Sequence, residues 1–412
     1  MSTFSLPWQA WFREGEIELV LPDTWDVTWC APADGPGLDD SAICSQIRQG
    51  FSAAAVRHSM VGKRTAAIAV DDITRPTPAH RVLPPVLDEL AQAGIGRENV
   101  RLVVASGAHR PALRPDLVCK LGEELVNEIE VCVHNPYEGL VYLGETRQGT
   151  PIHTNRLFHE AELRLAVGSV LPHELAGFSG GCKTVAVGLS GMSTLEANHY
   201  RAWNRTRVGI GKVEDNDAQA DFREIADAVG LDAVVNAVLN ARREILDLFV
   251  GEPVEAHGRA VGLARQVCAT RSPRGADIAI LNAYPKDLDL IQATMALNVA
   301  YFSNPEIVRP GGTLVVTCAC PEGAGIHFLD GFGMRRGAMY DEAVFGGRQL
   351  VIFSPNLARY DVHRLFTSSA LFFHDWPAAL RELGRRHPGT PRVSIFPCAC
   401  QQLPFFFVPQ CP

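Results

Sequence analysis

The stretch Thr65-Ala66-Ala67-Ile68-Ala69-Val70, followed at once by Asp71-Asp72-Ile73-Thr74-Arg75-Pro76-Thr77-Pro78, is a short apolar run cut off by charge and prolines. A run of that length with such an end predicts a strand buried on both faces, the kind found in parallel sheets. Two more runs follow the same plan. Val100 to Ala105 passes into Ser106-Gly107-Ala108-His109-Arg110-Pro111, and Leu163 to Val170 into Leu171-Pro172-His173 and a glycine-rich turn. Three strands thus deliver Asp72 with Arg75, His109, and His173 with Lys183 at their C-terminal ends, where open α/β sheets bind ligands.

The third of these loops carries the most chemistry. It reads Leu171-Pro172-His173-Glu174-Leu175-Ala176-Gly177-Phe178-Ser179-Gly180-Gly181-Cys182-Lys183-Thr184, with Asn198-His199 further on. Gly180 and Gly181 let the backbone approach a ligand or point bare N–H groups at an anion. From Gly177 the spacing nearly matches a phosphate loop, but Cys182 stands where its second glycine belongs, which weighs against a nucleotide triphosphatase. The structural alternative is a glycine turn with a solvated lysine. Ser193-Thr194-Leu195-Glu196 has capping-box spacing and predicts a helix start that would fix His199. Taken singly, His199 reads as an ordinary helix histidine and His109 or His173 as a loop cap. Their joint placement at strand ends favours catalysis. Asp72 and Arg75 read either as a local ion pair or as ligand contacts, the guanidinium suiting a carboxylate or a phosphate.

Taken together, Asp72-Ile73-Thr74-Arg75-Pro76, Gly107-Ala108-His109-Arg110, the His173 to Lys183 loop, Asn198-His199, and Tyr284-Pro285-Lys286 with Gln292 resemble the nickel-pincer lactate racemases and their 2-hydroxy acid racemase and epimerase relatives. The motifs span most of the chain in family order. The resemblance implies a cofactor, the nickel-pincer nucleotide (a pyridinium-3,5-bisthiocarboxylic acid mononucleotide carrying nickel), joined through a thioamide to Lys183. Its nickel would be held by His199, and soft sulfur and carbon donors with one imidazole suit Ni(II). Asp72, Thr74, Arg75, Gly180 and Gly181 fall on its cofactor side, and enzymes that synthesise the cofactor would be loading partners. His109 and His173 match the family's two acid/base histidines, with Arg75 and Gln292 also at the reacting end. The implied chemistry is hydride transfer from C2 while a histidine takes the hydroxyl proton, giving a 2-oxo acid that accepts hydride on its other face. Neutral imidazole suits that proton transfer near neutral pH.

One departure bears on substrate. Lactate racemases carry a lysine three residues after the glutamine, and here Gln292-Ala293-Thr294-Met295 puts Met295 there. Residues 345 to 370 also lack the tryptophan those enzymes place near the substrate. With one cation fewer, a larger 2-hydroxy acid is expected, such as a sugar acid whose hydroxyls meet Gln292 or Thr294, rather than lactate or another short-chain acid.

Composition frames the rest. The chain has 412 residues, 47% hydrophobic and 20% charged, with net charge −8, which suits a soluble two-domain enzyme and not a nucleic-acid binder. No apolar stretch approaches a membrane span and the N-terminus lacks a signal pattern, so a cytoplasmic protein is expected. Eleven scattered cysteines read as reduced thiols. Cys318-Ala319-Cys320 and Cys398-Ala399-Cys400 follow apolar runs and would make a four-thiolate metal site if those strands were neighbours, small buried thiols being the commoner outcome. No Gly-x-Gly-x-x-Gly follows an early strand, against an NAD-dependent dehydrogenase. The other competing class is a non-catalytic metal-binding protein.

The expected organisation is α/β, with two domains that each hold a mainly parallel sheet flanked by helices and an active site in the cleft between them. An N-terminal cofactor-binding domain covers 1–270 and a C-terminal α/β domain 275–397. The tail 398–412, apolar at Leu403-Pro404-Phe405-Phe406-Phe407-Val408, is expected to pack back on the first domain. Residues 219 to 267 read as mostly helical.

Overall fold

The computed structural model describes residues 1–203, 207–302, 304–331, 345–366 and 368–406. The chain falls into two compact units, one of Asp34–Val267 and one assembled from Met1–Ala33 with Cys268–Pro412.

Within Asp34–Val267 a six-stranded sheet has the order Ile245–Gly251, Ala233–Leu239, Leu163–Ser169, Ala66–Asp71, Val100–Ala105, Glu130–Val133. All neighbours are parallel except the Ile245–Gly251 edge. The Ala66–Asp71 strand is buried at every position. Its alternate residues feed two cores, as the two-residue period of a strand requires. Ile68 and Val70 pack with Val82, Leu83 and Val86 of the helix Ala79–Gln92. Ala67 and Ala69 face the other side with Val185, Phe222 and Ile225. The small residues on that second face leave room for the short helix Lys183–Ala186 to lie close to the sheet.

Strand order explains where the three loops meet. From the central Ala66–Asp71 strand the chain moves to Val100–Ala105 on one side and later returns as Leu163–Ser169 on the other. The loops after the two strands at this reversal part in opposite directions and open a crevice. Asp71 spans it, its Oδ2 accepting the backbone N–H of Ser169 at 3.1 Å.

The expectation of mostly helix over 219–267 is corrected. Helices Asp217–Val229 and Pro253–Cys268 flank an antiparallel pair, Ala233–Leu239 with Ile245–Gly251. Ala233–Leu239 is buried throughout, and an apolar run buried on all sides has no period that distinguishes strand from helix.

The second unit has a wholly parallel sheet in the order Leu371–Phe373, Gln349–Phe353, Val308–Thr317, Ala276–Asn282, Arg392–Phe396, Asp26–Trp29. Its last strand comes from the N-terminus, so the first 33 residues belong here and not in a continuous domain over 1–270. A strand recruited across the length of the chain leaves no local signal of its destination. In the tail, Leu403–Phe406 pairs in parallel with Ala269–Ser272 inside this same unit, while residues 407–412 lie outside the described residues.

Candidate active site

The two aspartates after the central strand have separate tasks. Asp71 Oδ1 lies 2.7 Å from Nζ of Lys120, and its Oδ2 accepts the Thr77 hydroxyl at 2.6 Å. Lys120, only 2% exposed, donates to the Arg75 carbonyl at 2.8 Å and so pins the loop that carries Thr74 and Arg75. Burial drives the Lys120 amine below its ordinary range and Asp71 opposes that.

Asp72 faces His109. Its Oδ2 is 2.7 Å from Nδ1 of the imidazole, and its Oδ1 accepts the Thr74 hydroxyl at 2.6 Å and the Thr74 N–H at 3.2 Å. Arg75 Nη1 donates to the Thr74 hydroxyl oxygen at 2.8 Å. Burial alone would raise the Asp72 carboxyl, but His109, Arg75 and Thr74 outweigh it and hold the group well below the usual carboxylate range. Burial also lowers His109, against the pull of Asp72 and with the charges of Arg75 and Lys183 adding to the drop. The pair is thus a carboxylate beside a neutral imidazole. A carboxylate can only accept, so the Nδ1 proton points at Asp72 and Nε2 keeps its lone pair, as a general base requires.

The lysine loop is built from beneath. Gly180 and Gly181 have φ of 81° and 55°, and a Cβ on Gly180 would lie 2.8 Å from Asn236 Oδ1, one on Gly181 2.7 Å from the His257 ring. Asn236 Oδ1 accepts the Gly181 N–H at 2.9 Å, and His257 Nε2 donates to the Ser179 carbonyl at 2.9 Å. Neither support was legible in the sequence, because each comes from a distant strand or helix. Lys183 opens the helix Lys183–Ala186 and is buried, with 8% of its surface exposed. Cys182, in the place of the missing phosphate-loop glycine, is a buried thiol pushed up to about 12 by desolvation. Gly107 ties the histidine loop to the lysine segment, its N–H donating to the Gly188 carbonyl at 2.9 Å.

His199 lies in the helix Met192–Trp203. That helix already starts at Met192, so Ser193 is not its cap; the Ser193 hydroxyl bonds the His153 ring at 3.0 Å instead. Asn198 explains the Asn-His pairing: its amide donates to buried Asp221 at 2.6 Å, where Thr146 and Thr150 also donate at 2.6 and 2.8 Å. His199 Nδ1 is 2.8 Å from the Leu195 carbonyl, which fixes the Nδ1–H tautomer and leaves the Nε2 lone pair for a metal. His173 begins a short hairpin, Pro172–His173 with Gly177–Phe178, and its Nδ1 accepts the N–H groups of Leu175 and Ala176, both at 3.3 Å.

The lactate racemase N-terminal domain family matches residues 12–211. The chain is 29% identical over 269 residues to the lactate racemase of Thermoanaerobacterium thermosaccharolyticum and 30% identical over 269 residues to that of Lactiplantibacillus plantarum. Residues 12–211 carry a lactate racemase N-terminal domain. Each alignment takes in 64% of this chain and 62% of the relative, so the chain spans less than two thirds of these relatives' length. In fold it is similar to the lactate racemase apoprotein of T. thermosaccharolyticum, with TM-score 0.76 and 20% identity over 98% of this chain and all of that one. It is also similar to a Thermotoga maritima protein, with TM-score 0.71 and 15% identity over 91% of this chain and all of that one.

The residues of this domain fit the cofactor that the sequence resemblance implies: a buried lysine at Lys183, a glycine cradle that a Cβ would fill, and an imidazole on His199 whose Nδ1 is turned to the Leu195 carbonyl. Gln292, Thr294 and Met295 belong to the other unit. There the helix changes pitch, from α over Leu290–Ala293 to 3-10 over Thr294–Ala296 and π over Asn298–Phe302. Asp289 caps it by accepting the Gln292 N–H at 2.8 Å. The Thr294 hydroxyl donates to the Ile291 carbonyl at 2.6 Å, so it has only lone pairs to offer a ligand. Met295 packs against the unit's apolar core, its sulfur accepting from Asn298 at 3.7 Å. The four-thiolate reading fails: Cys318, Cys320, Cys398 and Cys400 are buried free thiols, and among the described residues no group of three or more His, Cys, Asp or Glu is arranged to hold a metal. Nor is any described helix long and apolar enough to cross a membrane.

Proposed function

We propose that this protein inverts C2 of a 2-hydroxy acid by reversible hydride transfer, as a nickel-dependent racemase or epimerase with a 2-oxo acid intermediate. The observation that carries the reading is the Asp72–His109 pair, a carboxylate aligned on a neutral imidazole and tied through Gly107 and Gly188 to the Lys183 segment. Lys183 would hold the nickel-pincer nucleotide covalently and His199 would ligate its nickel. When bound, that group supplies a reversible acceptor for the C2 hydride. His109 takes the hydroxyl proton, with Asp72 orienting the ring. Arg75, steadied by Thr74, is suited to the substrate carboxylate. His173 completes the polar set that this unit offers the substrate.

Met295 in place of a lysine favours a substrate larger than lactate, such as an aldonate. A small carboxylate anchored by one cation fewer loses a charge-assisted hydrogen bond of about 1.5–3 kcal/mol, or roughly ten- to a hundredfold in kcat/KM. The test is to produce the chain alongside cofactor-synthesis enzymes and measure intact mass, nickel, and C2 inversion of lactate, longer 2-hydroxy acids and aldonates in deuterated water. A mass adduct absent from Lys183→Ala, nickel lost from His199→Ala with the adduct retained, and inversion without deuterium entering C2 are the expected results. An active Lys183→Ala enzyme or prompt deuterium incorporation would overturn the reading. Lactate as best substrate would remove Met295 as the determinant.

A further inference from the structure

We propose that Asp221 is the positioning residue for His199, holding the helix Met192–Trp203 in the one register that presents the imidazole to nickel; the inference rests on the racemase reading above. The helix is tied down along a single polar stripe. Thr194, Asn198 and Arg201 are four and then three residues apart, which puts them on one face. The Thr194 hydroxyl donates to the Pro151 carbonyl at 2.6 Å and its oxygen accepts the His153 N–H at 3.0 Å. The Asn198 amide donates to Asp221 Oδ2 at 2.6 Å. Arg201 donates to the Thr150 hydroxyl oxygen at 2.9 Å and to the Gly149 carbonyl at 2.7 Å.

At Asp221 this stripe meets a second one. On the helix Asp217–Val229, residues Asp217, Asp221 and Glu224 repeat the same spacing and grip the turn between the strands Leu140–Glu145 and Pro151–Asn155. The Asp217 carbonyl accepts from Gln148 at 2.9 Å, and the Glu224 carboxylate accepts the Arg147 N–H at 2.7 Å. Asp221, only 2% exposed, takes the hydroxyl of Thr146 on Oδ1 at 2.6 Å and that of Thr150 on Oδ2 at 2.8 Å. The direction of these bonds is forced. The Thr146 oxygen already accepts the Thr150 N–H at 3.1 Å and the Thr150 oxygen accepts Arg201, so each hydroxyl gives its one proton to Asp221. Both carboxylate oxygens therefore face donors, and an asparagine amide in the same place must set its own N–H groups against one of them.

This arrangement acts on His199 through the backbone. The imidazole is bonded at Nδ1 to the Leu195 carbonyl of its own helix, at 2.8 Å, so the ring moves with the helix as one body. Fixing the ring in the unit therefore means fixing the helix. Apolar contacts are non-directional and let a helix turn or slide by small amounts at little cost, whereas hydrogen bonds weaken steeply away from their axis. A metal ligand tolerates displacements of only about 0.2 Å. Asp221 supplies the directional restraint, joining the His199 helix at the residue before His199, its own helix and the hairpin turn in one buried group.

The test is the rate at which a chelator strips nickel from the loaded protein, with intact mass reporting the Lys183 adduct separately and urea unfolding reporting stability. Asp221→Asn should keep the adduct and release nickel about ten- to a hundredfold faster than the wild type. Thr150→Val should shift the rate in the same direction, and Thr150→Ser, which restores the hydroxyl, should bring it back toward the wild-type rate. Ile225→Val and Ile225→Ala, apolar changes at a buried position of the same helix as Asp221, lower the urea midpoint by graded amounts and should leave nickel release as in the wild type. Release that follows the urea midpoint across all these variants would show a merely structural role and overturn the proposal, as would wild-type retention in both Asp221→Asn and Thr150→Val. Should Asp221→Asn fail to fold, the two Thr150 variants decide between the same outcomes. Either result against the proposal leaves the racemase reading standing, whereas a wild-type protein made alongside the cofactor-synthesis enzymes that carries neither adduct nor nickel would overturn both.

Discussion

At the scale of single residues, the decisive contact is the 2.7 Å bond between Asp72 and His109. Replacing Asp72 with Asn removes the charge that holds the Nδ1 proton in place, and the amide can present either an N–H or an oxygen to the ring. Asp72→Asn should lower kcat by about 10²–10⁴ with little change in fold, measured as turnover of the loaded enzyme beside the circular dichroism of the wild type. Burial sets His109 below the ordinary histidine value of 6.5, so the base remains neutral until pH falls below that value. The acidic limb of kcat/KM should accordingly lie under pH 6.5, and a limb at or above it would mean that Asp72 dominates over burial. His109, His173, Lys183 and His199 were legible in the sequence because apolar strand runs, glycines and motif spacing announce them. Lys120, Asn236, His257 and Asp221 were not: they act across the sheet, and nothing in their own neighbourhoods marks them.

At the scale of elements, the loops are held by buried polar contacts that break asymmetrically. Lys120→Met leaves Asp71 charged and deprived of its 2.7 Å ion pair, with the Thr77 hydroxyl and the Ser169 N–H as its other recorded partners. Breaking a buried pair from one side typically destabilises by about 3–5 kcal/mol, and urea unfolding of the variant should show a loss in that range. A second test uses pH. His134, which donates from Nε2 to the Ser190 carbonyl at 3.0 Å, and His257 are both lowered by burial from 6.5 to about 4. Between those values the unfolded chain binds protons that the folded chain does not, so the stability these histidines contribute is complete above pH 6.5 and is lost as pH falls toward 4. Each adds a slope of up to about 1.4 kcal/mol per pH unit, and a flat profile of unfolding free energy between pH 6.5 and 5 would contradict the assignment.

At the scale of the whole molecule, the first 33 residues complete the sheet that contains the far end of the chain. Asp287 accepts the N–H groups of Gln9 and Ala10 at 2.8 and 3.2 Å, and Asn282 donates to the Pro7 carbonyl at 2.8 Å. A chain lacking Met1–Ala33 keeps every residue from Asp72 to Met295 but exposes the edge of the Arg392–Phe396 strand and leaves Asp287 without these donors. Its melting temperature should fall by at least about 5 °C, with reduced solubility from the bare edge, by calorimetry against the full chain.

The sequence by itself determined the α/β class, the three loop-bearing strands and the residues of the candidate site, because apolar runs ended by charge, proline and glycine are local signals of buried strands and ligand loops. It also carried the resemblance to the lactate racemases, since the motifs stand in order along the chain. Only the tertiary structure decided that Ala233–Leu239 is a strand, that the N-terminus joins the C-terminal sheet, and that the tail pairs with Ala269–Ser272. It alone set the Asp72 carboxylate against Nδ1 of His109 and the Leu195 carbonyl against Nδ1 of His199. Strand pairing and histidine tautomers are fixed by partners distant in sequence or by the turn of a backbone, and residue order does not specify which partner arrives.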